Sequence, residues 1–204
     1  MITAQTVLDQ LTGNDLFEAL EAIMTDHFKD FAPVQSRYID VIAALQESLG
    51  NNAAISPKEE MTAIRQQTVS NLLFSGLLGL KANWDHFIDP VAKNFMDVDA
   101  EIYLREETAH RLPAYADAQE TRNLFYAQLS PNQQKLYEDV NAYFCYLETV
   151  GPKLAHYYGY MLGNDLLQRV VPGYHPDPVL TIKYTAMLES YFGKSFSDIL
   201  STHL

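Results

Sequence analysis

The chain has one cysteine, Cys145, in 204 residues. No disulfide can form within it, and such usage fits a reducing, cytoplasmic setting better than a secreted one. Basic residues are scarce too. Fourteen lysines and arginines face 26 aspartates and glutamates, giving a net charge of −12. No stretch is basic enough to line up phosphates, so nucleic acid is disfavoured as a partner, and so is an anionic membrane surface. Long apolar runs are missing. The most apolar stretch, LLFSGLLGL at 72–80, is far short of the roughly 20 residues a membrane span needs. Met1 to Gln10 holds no basic segment followed by an apolar one, so no leader peptide is expected. There is no glycine-rich phosphate loop, no Gly-x-Ser-x-Gly elbow and no dinucleotide fingerprint. No cofactor and no catalytic residue is expected on these grounds.

What is present reads as helix. Apolar residues make up 48% of the chain and charged residues 20%, an ordinary globular balance. Apolar positions recur every three or four residues, and no alternating β-branched run competes. Ser56-Pro57-Lys58-Glu59 and Ser130-Pro131-Asn132-Gln133 each combine a capping serine, proline at the first helical position and an acid or amide at the third. Asp177-Pro178 offers the cap and the proline without the box. The punctuation predicts an all-α, irregular multi-helix bundle of about eight or nine helices in one domain spanning 1–204, with a possible subdivision near 113–130. The expected helices are a short one at 3–11, then 14–30, one opened by Pro33, and a long one over 56–88. They continue at 97–111, stopped by Pro113, then at 117–129, and from Pro131 to a break or kink at Gly151-Pro152. Helix resumes to about Val170, again over 179–192, and in a short C-terminal piece capped by Ser195. The helix Ser56–Ile88 looks apolar on every side, through Met61, Ile64 and Leu72 on one flank and Leu73, Leu77, Leu80 and Trp84 on another. That pattern predicts a central helix.

The candidates for chemistry are few. Glu107 and His110 lie three apart and could share one metal on a helix face, but the second Glu-x-x-His of a di-iron bundle is absent. The pair falls on the flank of its helix, away from the apolar stripe, where local charge pairing accounts for it. The other histidines are scattered, and Cys145 cannot complete a zinc site alone, so no metal is assigned. Cys145 itself lies opposite the apolar stripe of its helix.

The C-terminal third is different. It holds nine of the thirteen tyrosines. Tyrosine buries a large ring yet keeps a hydroxyl that wants a partner, which suits it equally to core edges and to interfaces. Tyr143, Glu148, His156, Tyr157, Tyr160, Tyr174 and His175 are the candidate pocket or interface residues. Glu148 and His156 flank the Gly151-Pro152 break, where a kink would make room. Ala155, Gly159 and Gly163 recur every four residues and form a shallow groove that another helix can approach closely. The acid excess is graded: residues 1–55 hold 8 acids and 2 bases, whereas 130–204 hold 7 and 5. Scattered acids of this kind keep a protein soluble rather than mark a face.

Two function classes fit. One is a non-catalytic interaction or regulatory module, with a protein partner or a second copy of itself. The other is a helical binder of a small ligand, or an enzyme, with its pocket between helices near the break.

Overall fold

The computed structural model describes residues 13–50, 53–88 and 113–192. Among the described residues there are six helices and no strand: α1 (Gly13–His27), α2 (Phe31–Leu49), α3 (Pro57–Ile88), α4 (Pro113–Gln128), α5 (Pro131–Val170) and α6 (Pro178–Phe192). The all-α class stands, with six helices among the described residues against the eight or nine expected for the whole chain. The helices expected at 3–11, at 97–111 and after Ser195 lie outside the described residues. The seventh and eighth expected pieces merge into one, because α5 runs unbroken through Pro152. The helix expected from 117 starts four residues earlier, with Pro113 at the first position of α4, where its missing N–H costs nothing. None of these helices is long and apolar enough to cross a membrane.

Local chemistry sets the starts. Ser130 caps α5 with a complete capping box: its Oγ accepts from Gln133 N, and the Gln133 side chain accepts from Ser130 N at 2.8 Å. Ser56 and Glu59 do the same for α3, at 3.2 and 2.7 Å. Asp177 Oδ1 accepts from Val179 N and Leu180 N at 2.7 and 3.0 Å and opens α6.

The frame is the pair α3 and α5, about 48 and 60 Å long at 1.5 Å per residue. They run parallel. Glu60 meets Tyr137, Asn71 meets Glu148, and Asn83 meets the Tyr160 carbonyl, each pair separated by 77 residues. A step of 11 residues is close to three helical turns and one of 12 overshoots by about a third of a turn, equally on both helices, so the seam winds round the two helices in step. α4 packs antiparallel beside the first half of both: Gln119 bonds Gln67 at 2.6 Å, and Gln128 bonds the Ile55 backbone. α2 lies antiparallel along the other flank of α5, with Arg37 on Asp139 at 2.8 Å and Ser48 on Gln133. α1 crosses the seam obliquely, placing Gly13 on Val69 and Leu20 between Gly151 and Leu72. α6 folds back against the end of α5 through Tyr184 and Thr181.

The central helix is where expected, but it is not apolar on every side. Beside Ile64 and Leu72, the buried residues of α3 are largely small or polar: Gln67, Thr68, Asn71, Ser75 and Asn83 are buried, with Gly76 and Gly79 among them. The leucine stripe faces outward, with Leu77 40% and Trp84 50% exposed. The reason is steric. A Cβ built on Gly79 would stand 1.9 Å from the His156 carbonyl oxygen, and one on Gly159 would stand 1.9 Å from the Gly76 oxygen. Backbone meets backbone there, and only glycine allows it. Polar side chains then satisfy one another across the contact, which leucine could not do.

Candidate functional site

The candidates read from the C-terminal third do not form one site. Tyr143 and Tyr160 are 17 residues apart on one helix, or about 25 Å along its axis. His156, Tyr157 and Tyr160 are buried and gather around Tyr184 of α6, with ring centroids at 6.2, 5.1 and 4.6 Å. Tyr174 donates to Asn164 at 3.0 Å, and His175 is exposed beside it. Glu148 turns inward to accept from Asn71. Gly151 and Pro152 are buried, and the helix does not open between them. Ala155 is fully buried, and Gly163 lies against the Asn83 side chain. Glu107 and His110 fall outside the described residues. No cluster of three or more metal-ligating side chains occurs among the described residues.

The geometry builds a cleft elsewhere, around Tyr143. α2 and α3 both pack on α5 but touch each other little, which leaves a trough between them. α5 supplies its floor and α1 its end wall. The trough holds about 390 Å³, within the range of small-molecule sites.

Each wall contributes one face of a helix. On α3, Lys58, Met61, Thr62 and Arg65 follow at spacings of three and four and so line one stripe, with Ile64 behind. On α2, Gln35, Tyr38 and Ile39 face them, and Ile39 is 55% exposed. On α1, Phe17 and Glu21 close the end. The floor is rigid. Tyr38 and Tyr143 stack with ring centroids 4.2 Å apart and planes 10° from parallel, and Phe31 stacks on Tyr143 from the far side. The Tyr143 hydroxyl donates to a Glu21 carboxylate oxygen. Burial pushes the Tyr143 phenol far above its usual pKa, and the Glu21 carboxylate adds to the shift. Tyr38 is raised likewise, by burial first and then by Glu60 and Glu21. Both phenols therefore stay protonated across the physiological range, and Tyr143 serves as a donor rather than an acid. Arg65 is steadied from two sides. Its guanidinium lies 4.6 Å from the Phe17 ring centroid, and its Nη2 donates to Glu18 at 3.1 Å.

Sequence reasoning included Tyr143 and missed the rest. Met61, placed by the sequence on an apolar flank of its helix, proves to be a partly exposed wall, as does Ile39. The signal was available in part: lysine and arginine seven residues apart on the same face as Met61 are out of place on a buried stripe. Phe17, Glu21 and Gln35 carried no such mark, since only the crossing of α1 over α3 brings them in.

No protein-family model, curated protein or solved structure matches the chain.

Proposed function

We propose that this chain is a helical-bundle protein that binds a small ligand in the trough between α1, α2 and α3. The observation that supports this most is the floor: two stacked tyrosines, locked by packing and by the Tyr143–Glu21 bond, at the base of a concave, mostly apolar space with a guanidinium at its edge. A site of this kind is preorganised, so a ligand does not have to order it. The reading moves the pocket away from the Gly151-Pro152 segment, where the chain is closed. With its one thiol exposed on α5 and unbridged, we place the protein in the cytoplasm.

The test is a fragment screen followed by amide-resolved NMR on the whole chain. Hits should shift Phe17, Gln35, Ile39 and Thr62 together. Thr62 is exposed, so Thr62→Trp should fold normally, fill the trough and abolish those shifts. Hits that cluster elsewhere, or that bind Thr62→Trp equally well, would sink the assignment.

A second reading, an interaction module with a protein partner or a second copy, draws support from another surface. On α6, Val179 and Ile182 are 71% and 69% exposed, three residues apart on one face. Large apolar side chains presented as a stripe mark contact surfaces more often than isolated ones do. Native mass spectrometry separates the two: a monomer with a stoichiometric small molecule favours the first, a ligand-free dimer the second.

A further inference from the structure

Resting on the ligand-binding reading, we propose that the trough takes a free amphiphile with an anionic head and an apolar body. We further propose that α1 presents Glu18 as an internal competitor for that head.

The charges in the trough are not those of the molecule. The chain as a whole carries −12, yet the α3 wall presents two cations, Lys58 and Arg65, against a single lining carboxylate, Glu21. Glu21 is already engaged as the acceptor for Tyr143. Lys58 makes no ion pair among the described residues. The two cations are seven residues apart, about 10 Å along the helix, with Met61 and Thr62 between them. An apolar body seated on Met61, Ile39 and Phe17 would therefore have a cation at either end of its seat.

Arg65 is the better head receptor. A guanidinium presents a planar fork suited to two oxygens, and Phe17 holds this one in place by its ring. Glu18 engages only Nη2. Side-chain exposures of 42% for Arg65 and 69% for Glu18 make this a solvent-accessible pair. Such pairs contribute little and exchange readily, so a ligand carboxylate can displace Glu18 by offering both oxygens. The negative field of the whole molecule does not prevent this. At physiological salt it is screened beyond about 8 Å, and the contact pair decides.

The probes are decanoate and decanol, which share an apolar body and differ in the head. Titrated into the full chain at neutral pH, decanoate should bind about tenfold tighter than decanol, with both shifting Phe17, Ile39 and Thr62. In Arg65→Gln the decanoate-to-decanol affinity ratio should fall toward one. In Glu18→Gln decanoate affinity should rise about three- to fivefold. Melting curves establish that both variants fold. Equal affinities of the two probes in the wild-type chain would overturn the anionic head and leave the trough intact. No shift with either probe would overturn the amphiphile and count against the trough itself. An unchanged decanoate affinity in Glu18→Gln would overturn the competitor role. Co-sedimentation with phosphatidylglycerol vesicles, with the trough residues buried on them, would overturn the choice of a free ligand over a lipid surface.

Discussion

Arg122 shows how much one side chain can hold together in this protein. From α4 its Nε reaches Glu60 Oε1 at 3.2 Å, its Nη1 reaches Gln67 at 2.7 Å and its Nη2 reaches Asn141 at 3.0 Å. The guanidinium also lies 4.1 Å from the Phe144 ring centroid. Three helices meet on it. Glu60 is wholly buried and also accepts from Tyr137. Burial raises the Glu60 pKa, while Tyr137 and Arg122 pull it back down. Because the folded value lies above the ordinary carboxylate value, this group favours folding most when it is protonated, at acidic pH. That contribution is lost as pH rises through the carboxylate range to its folded pKa. Arg122→Met removes the counter-charge and should cost about 3–5 kcal/mol at neutral pH, the usual result of orphaning a buried charge. The loss should shrink toward pH 4. Denaturant titrations at several pH values measure it, and the added change Glu60→Gln should flatten the dependence. A loss that did not vary with pH would mean that packing against Phe144, not charge, is what Arg122 supplies.

Between elements, the decisive contact is glycine on glycine. α3 and α5 approach until a Cβ at position 79 or 159 would overlap a carbonyl oxygen of the other helix at 1.9 Å. A side chain could yield to an added methyl, but a backbone cannot without the helices parting along the seam. Gly79→Ala should therefore cost about 3 kcal/mol, at or beyond the upper end of ordinary overpacking. Gly173→Ala is the control. Gly173 has φ +78° in the turn closed by the Tyr174 N–H on the Val171 carbonyl, with nothing within 4 Å of an added Cβ, so only the backbone conformation is penalised, at about 1 kcal/mol. Thermal melts of the two should differ clearly. Similar losses would show that the α3–α5 contact is looser than its geometry. The same closeness accounts for Pro152. Its ring is buried among neighbours, and packing along the seam keeps α5 continuous through a residue that isolated helices do not tolerate.

On the scale of the whole molecule, stability is distributed unevenly. The α3–α5 seam is flanked by α1, α2 and α4, whereas, among the described residues, α6 leans mainly on the end of α5. Hydrogen exchange should therefore be slowest at amides 60–79 and 137–159, where opening requires global unfolding, and faster across α6. Mass-resolved exchange reads this directly. Equal protection of α6 and the seam would indicate that α6 is covered by something more than α5. α1 bears on the proposed site here too. It forms the end wall of the trough and carries both Glu18 and Glu21, so ligand occupancy should change protection in α1 before it changes the seam.

The sequence by itself determined what depends on near neighbours. The all-helical class follows from spacing. The starts at Ser56, Ser130 and Asp177 follow from side chains that bond a backbone N–H within three residues. The close-packing role of Gly159 was legible from its four-residue recurrence, though its partners Gly76 and Gly79 were hidden inside a run that looked like leucine core. Tertiary structure decided what depends on distant partners. Which face of α3 is buried was settled by how near α5 could come, not by which face is more apolar. Whether Pro152 breaks a helix was settled by the packing around it. The trough is the clearest case. Glu18 and Arg65 are 47 residues apart and Glu21 and Tyr143 are 122 apart. No local pattern couples such residues, because they meet only where α1 crosses α3 and α5, and that crossing is a property of the folded whole.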